Sequence, residues 1–159
     1  MAVEIERKFL VAGDAWREVA TSSKRIRQGY LCTGGGASVR IRLIDEDEAR
    51  LTVKSRRMPG PGLAREEFEY AVPYADGLAL MALCPGTPID KVRHLVPAGG
   101  GAMWEVDVFA AAHAGLVLAE IELQAMDQAV TLPPWIGREV TDDPRYGNEA
   151  LAQDGPPAA

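Results

Sequence analysis

A side-chain period of two runs through most of this chain, and on strand after strand one face is charged while the other is apolar. In an extended strand successive side chains point to opposite faces. Glu4, Glu6 and Lys8 therefore share a side, backed by Ile5 and Phe9. Arg40 and Arg42 oppose Val39, Ile41 and Leu43, and Lys54, with Thr52, opposes Leu51 and Val53. Glu67 and Glu69, with Arg65, oppose Phe68, Tyr70 and Val72, while Lys91 and Arg93 oppose Val92. Glu105 and Asp107 oppose Trp104, Val106 and Val108, and Glu120 and Glu122 oppose Ile121 and Leu123. A solvated sheet face usually intersperses both signs with Thr, Ser and Gln. Here the pairs are mostly uniform in sign within a strand: acidic on the first, fifth, seventh and eighth, basic on the third, fourth and sixth.

The same alternation predicts strands over 3–11, 25–33, 38–44, 49–55, 65–72, 90–96, 102–109 and 116–124. Gly34-Gly35-Gly36, Asp45 to Glu48, Pro59-Gly60-Pro61-Gly62 and Ala98 to Gly101 supply the turns between them. Helices are few. Asp14 is expected to cap a short one through Ala20, burying Trp16, Val19 and Ala20. Asp76 is expected to cap another through Cys84, with Leu80, Leu83 and Cys84 on one side, stopped by Pro85. A last helix, with Pro144 at its first position, should run from Asp142 or Asp143 to about Gln153. A single domain over 1–153 follows, with 154–159 a disordered tail.

Composition excludes several classes. Net charge is −6 and the pI is near 5.0, so the basic excess behind generic nucleic-acid binding is missing. Met1 to Leu10 carries charges where a signal peptide would be apolar. No window approaches the roughly eighteen apolar residues of a membrane span. A soluble, cytoplasmic protein is expected. Cys32 and Cys84 are read as reduced packing residues, not as a disulfide.

Two architectures accommodate such a pattern. An open sheet could pack its apolar face on the helices and turn its charges to water. Alternatively the sheet could close with its apolar side outward, so that the charges line a hydrated interior. In the closed case a ligand must compensate them, because unpaired buried charge is very unfavourable. A polyphosphate with a divalent metal has both signs required: Arg and Lys hold phosphoryl oxygens, carboxylates hold the cation.

Glu4-Ile5-Glu6-Arg7-Lys8 resembles the ExExK signature of the CYTH superfamily, the triphosphate tunnel metalloenzymes. Gln28-Gly29-Tyr30-Leu31, Val39-Arg40-Ile41-Arg42, Thr52-Val53-Lys54 and Glu67-Phe68-Glu69-Tyr70 are similar to successive elements of that family. So are Lys91-Val92-Arg93, the segment Trp104 to Phe109, Ala119 to Leu123, and Gly137-Arg138-Glu139-Val140-Thr141. The resemblance covers nearly the whole chain. It implies an α+β, mostly β fold: a closed eight-stranded antiparallel β-barrel with a few flanking helices. It further implies that Lys8, Arg40, Arg42, Lys54, Lys91 and Arg93 bind the triphosphate. Glu4, Glu6, Glu120 and Glu122 would bind Mg²⁺ or Mn²⁺, with Glu67, Glu69, Glu105 and Asp107 as supporting acidic residues. Catalysis would fall to Lys8, Glu4 and Glu6. One departure stands near the end, where family members carry a second aromatic after Tyr146 and this chain has Gly147.

The short chain with its EIERKF opening is most similar to the inorganic triphosphatase subgroup, which implies hydrolysis of tripolyphosphate by water attack on a phosphoryl group. The alternatives are a nucleoside or thiamine triphosphatase, an adenylyl cyclase of the same superfamily, or a non-catalytic module binding polyphosphate or nucleotide. Cyclisation needs a grip on adenine and ribose, and no base-reading cluster stands out. Lys8 could act as a base only with a lowered pKa, and its acidic neighbours push the other way. Trp16, Trp104, Trp135, His94 and His113 are read as packing residues. Arg25 and Arg27 alternate with Ile26, Gln28 and Tyr30, and either face could turn inward. Arg56 and Arg57 belong to a solvated loop or a tunnel mouth. The partner is a small triphosphate, with no nucleic acid or membrane, on a monomer or homodimer.

Overall fold

The computed structural model describes residues 2–56 and 63–158. Arg57 and the Pro59-Gly60-Pro61-Gly62 turn lie outside them. Nine strands and two α-helices follow in the order β1 (Ala2–Val11), β2 (Ser22–Cys32), β3 (Ala37–Ile44), β4 (Glu48–Ser55), β5 (Leu63–Val72), α1 (Tyr74–Leu83), β6 (Ile89–Gly99), β7 (Ala102–Ala110), β8 (Val117–Glu122), β9 (Ile136–Glu139) and α2 (Asn148–Asp154). Short 3₁₀ turns occupy Ala15–Glu18, Ala111–His113 and Pro144–Tyr146.

The sheet runs β5-β4-β3-β2-β6-β7-β8-β1, and β1 pairs with β5 as well, so eight antiparallel strands close into a ring. Closure settles the choice that alternation left open. The short β9 shares an edge of β1 with β5: Glu4 faces Arg65 on β5, and Phe9 faces Glu139 on β9.

The register shifts fall at strand ends, near Val11, Cys32 and Gly99, so the inward set continues around the ring. Lys8 lies opposite Glu120, Glu105 opposite Glu120, Asp107 opposite Leu118 and Arg93 opposite Asp107. Lys91 faces Ile26, Gln28 faces Arg42, Arg40 faces Thr52 and Lys54 faces Glu67. Cross-strand neighbours share a face, so all fourteen charged positions singled out above lie on the inner one.

The apolar faces point outward and are covered over most of the ring, with Val3 on β1 and Tyr70 on β5 left exposed. Phe9, Val106, Trp104, Ala119 and Ile121 pack with Trp16 and Trp135 into one core; Trp104 meets Phe9 and Trp135 edge-on, at 5.6 and 5.8 Å between ring centres. His94 belongs to this outer side, against Trp16 at 4.9 Å. On the opposite wall α1 lies over β2, β3 and β4. A Cβ on Gly77 would stand 2.4 Å from Ala49 Cβ, and one on Gly29 would stand 2.9 Å from Cys84 Cβ, so only glycine allows this approach.

Several local expectations are corrected. Between Asp14 and Ala20 the chain makes only the 3₁₀ turn, Asp14 places no side-chain cap on it, and Val19 is 54% exposed. Helix α1 begins at Tyr74 behind Pro73, with Asp76 inside its first turn, and Leu83 faces solvent. The last helix is split: Pro144–Tyr146 is a 3₁₀ turn capped by Asp143, Gly147 is extended, and α2 starts at Asn148. Strand β8 stops at Glu122, and β9 had no period-two signal of its own. Cys32 is exposed, whereas Cys84 packs under Gly29. Among the described residues no helix is long and apolar enough to cross a membrane.

Candidate active site

Inside the ring the charges are sorted into clusters. On β6 and β7, Arg93 grips Asp107 with two bonds of 2.8 and 2.9 Å and Glu105 with one of 2.7 Å. Lys91 Nζ donates to the same Asp107 at 2.7 Å and to Asn148 Oδ1 on α2 at 3.4 Å. Charge-assisted, bidentate contacts of this kind are the strong ones. Burial opposes ionisation of Asp107, but Arg93 and Lys91 outweigh it and pull the carboxyl down to about 2. For Lys91 burial wins. With Arg93 and Arg42 adding repulsion and Asp107 already shared with Arg93, its ammonium falls to about 7.

On β1, β4 and β5, Lys54 Nζ stands 2.8 Å from Glu4 and 3.2 Å from Glu67. Lys8 Nζ lies 3.5 Å from Glu120 and donates to the Tyr146 carbonyl at 3.1 Å. Burial alone would lower Lys8, yet Glu120 and Glu6 hold it above the usual lysine range. Its neighbours thus favour the charged ammonium over a free base. Glu6 is raised well above the ordinary carboxyl range, first by burial and then by Glu120. Glu6 lies close enough to Glu120 for the two carboxyls to repel, and Lys54 Nζ bridges the carboxylates of Glu4 and Glu67.

On β3 the pattern reverses. Arg40 donates to Thr52 Oγ1 at 3.2 Å and lies 3.8 Å from Glu69, while its Nε has no acceptor. Arg42 Nε donates to Gln28 Oε1 at 2.9 Å, and among the described residues no carboxylate pairs with it. Burial, Arg40 and Arg93 bring its guanidinium down to about 9. The interior is therefore electrostatically lopsided, with neutralised cations on β6 and near β1, while on β3 Arg40 has only Glu69 at 3.8 Å and Arg42, among the described residues, no carboxylate.

One end of the ring is stopped by Tyr30, Ile89, Phe109 and Leu118 together with Val140, Tyr146, Leu151 and Ala152. Beside this plug a cavity of about 410 Å³ is lined by Glu6, Lys8, Arg40, Thr52, Lys54 and Arg65, with Asn148 and Glu149 of α2 across it. Thr141 fixes the ExExK strand: its Oγ1 accepts from the Lys8 backbone N–H at 3.0 Å and donates to Glu139 at 2.6 Å. Arg7 holds Glu139 by two bonds of 3.0 and 2.7 Å.

The structure brings together Glu4, Glu6, Lys8, Lys54, Glu67 and Glu120 on one side, and Lys91, Arg93, Glu105 and Asp107 on another. Arg40, Arg42 and Glu69 lie between them. Glu122 faces Glu6 across the β1–β8 ladder but is exposed at the end of β8. Gln28, fully buried, and Thr52, 1% exposed, belong to the tunnel and were not counted in it; both share a face with recognised neighbours, which was the available signal. Asn148 and Glu149 had none, since a helix across the opening delivers them. Arg25 and Arg27 turn outward and are exposed. Arg56 is exposed and donates to the Gly35 carbonyl.

Hard oxygen donors suit a divalent cation, and the paired carboxyls supply them. Among the described residues no three acidic, His or Cys side chains are grouped closely enough to enclose an ion alone.

A closed antiparallel barrel with an apolar exterior and an interior of opposed Arg/Lys and carboxylate arcs defines a tunnel protein built for a small polyanion. Residues 2–153 match the CYTH domain family. The chain is 41% identical over 155 residues to an inorganic triphosphatase of Acetivibrio thermocellus, covering 97% of this chain and 96% of the relative. It is 38% identical over 152 residues to an inorganic triphosphatase of Nitrosomonas europaea, covering 94% and 96%. The crystal structure of the inorganic triphosphatase NE1496 superposes with a TM-score of 0.68 at 34% identity, over 99% of both chains. The protein belongs to the CYTH family.

Proposed function

We propose that this protein is a metal-dependent triphosphatase acting on inorganic tripolyphosphate inside the tunnel. The observation that carries this reading is the uncompensated Arg42, beside an Arg40 whose Nε lacks an acceptor. Enclosed guanidinium groups without carboxylates are unfavourable unless an anion completes them. Lys8, Arg40, Arg42, Lys54, Lys91 and Arg93 would hold phosphoryl oxygens. Glu4, Glu6 and Glu120 would hold the cation, with Glu122 reaching it from the open end of β8. Glu67, Glu69, Glu105 and Asp107 keep the lysines and arginines in place. A bound Mg²⁺ or Mn²⁺ would supply Lewis-acid neutralisation of the phosphoryl charge. Glu4 and Glu6 act as its carboxylates, and Lys8, held charged, stabilises the developing oxyanion. Phosphoryl transfer depends chiefly on such positioning and electrostatics.

An inorganic substrate is favoured over a nucleotide because the aromatic side chains on the tunnel face, Tyr30 and Phe109, are both buried in the apolar plug. Phe109 already faces Lys91 Nζ at 5.4 Å, and Tyr30, which touches the cavity, is only 8% exposed. Residues 1–153 are taken as one domain, and the cytoplasm as its compartment, as a monomer or homodimer without nucleic-acid or membrane partners.

Phosphate release from tripolyphosphate, ATP and thiamine triphosphate, each with Mg²⁺ and with Mn²⁺, tests the reading. Tripolyphosphate should be turned over fastest. Binding without turnover of any of the three would make the tunnel a binding module and sink the hydrolase. Glu4→Gln should abolish metal-dependent turnover; unchanged activity would remove Glu4 from the metal site.

A further inference from the structure

Gln28 sits on the tunnel face of β2, opposite Arg42 on one side and Ile89 on the other, with no exposed surface. Its Oε1 accepts from Arg42 Nε at 2.9 Å. A guanidinium can only donate, so this bond fixes the amide: oxygen toward Arg42, NH₂ away from it. That Nε2 has no acceptor among the described residues. Ile89 offers none. An unpaired buried amide is costly, and so is an unpaired Arg Nε; Arg40, in the neighbouring register pair with Tyr30, has such an Nε. Two adjacent residue pairs thus present donors in excess: Arg40 has only Glu69 at 3.8 Å, and Glu4, Glu120, Asp107 and Glu105 are engaged by Lys54, Lys8, Lys91 and Arg93.

We propose that Gln28 is a substrate-binding residue, its side-chain amide donating to a phosphoryl oxygen that Arg40 and Arg42 also hold; this rests on the triphosphatase reading above. A neutral donor has a physical reason at this point. A further cation would add to the repulsion among Arg40, Arg42 and Arg93, whereas glutamine gives Arg42 an acceptor and extends the donor row toward the anion. A phosphoryl oxygen, with several lone pairs, accepts from all three at once.

The test joins kinetics with the amide resonance. Gln28→Met should fold normally and raise KM for tripolyphosphate at least tenfold. The Gln28 NH₂ signal, assigned by its loss in Gln28→Met, should move downfield when metal-free wild-type protein is saturated with tripolyphosphate. Gln28→Glu keeps the acceptor for Arg42 but not the donor, and should stay at least as impaired. If Gln28 only orients Arg42, Gln28→Glu recovers the wild-type KM and the wild-type NH₂ signal does not move at saturation; either result overturns the proposal while leaving the triphosphatase intact. If Gln28→Met fails to fold, the resonance alone decides. A wild-type protein that neither binds nor hydrolyses tripolyphosphate overturns both readings together.

Discussion

Two arginines of the same tunnel, similar by sequence, should respond very differently to the same substitution. Arg42 meets only a neutral acceptor, and its guanidinium is brought from the ordinary range down to about 9. Three to four powers of ten at about 1.4 kcal/mol each is roughly 5 kcal/mol against the charged form. Arg42 keeps some contact with the tunnel space, so water screens part of this, and roughly half is a fairer figure. Arg42→Met also orphans Gln28 Oε1, at about 1–3 kcal/mol. The balance runs from about 1.5 kcal/mol more stable to about 0.5 kcal/mol less stable. Arg93→Met instead leaves Glu105 without its 2.7 Å partner and Asp107, 1% exposed, with Lys91 alone. Breaking a buried pair from one side costs about 3–5 kcal/mol. Urea unfolding at pH 7.5 without metal or phosphate, with the slope checked for constancy, reads both. Both variants should lose tripolyphosphatase activity. Equal destabilisation would refute the assignment of uncompensated charge to β3, because Arg42 would then have to be as well paired as Arg93.

Gly77→Ala puts a methyl 2.4 Å from Ala49 Cβ; overpacking of about 1–3 kcal/mol should exceed the helix-propensity gain of about 1, and a double-mutant cycle with Ala49→Gly should show a favourable coupling. An additive cycle would mean that α1 simply shifts. Thr141→Val leaves the buried Lys8 N–H without its acceptor, so the urea midpoint should fall by the equivalent of about 1–3 kcal/mol; an unchanged midpoint would show that the 137–141 segment does not clamp β1. Lys91, lowered to about 7 by burial, is cationic below that pH and neutral above it. Tripolyphosphate affinity should therefore weaken from pH 6 to pH 8 in titration calorimetry, and Lys91→Arg should flatten the trend. Identical slopes in the two proteins would remove Lys91 as the titrating group.

What was legible in the sequence follows from what a strand can express locally. Alternation reports which side chains share a face, and it placed Glu4, Arg40, Lys54, Lys91, Asp107 and Glu120 together without reference to any neighbour. It does not report strand order. The β2–β6 pairing skips three strands and the β1–β5 pairing joins distant segments, and both are decided by long-range hydrogen bonding. The same limit hid Gln28: β2 alternates Arg25 and Arg27 against Ile26, Gln28 and Tyr30, and charge alone would turn the arginines inward. Register resolves it, because once Arg40 and Arg42 point inward their cross-strand partners Tyr30 and Gln28 must do so too. The closing segment was least legible. Pro144 and Gly147 fit a helix start and a break equally well, and only the apolar plug decides that the chain bends at Gly147 and lays Asn148 beside Lys91. Gly147, in place of a second aromatic, thus bears on the site directly. The bend there sets where α2 begins, and α2 contributes Asn148 and Glu149 to the cavity wall.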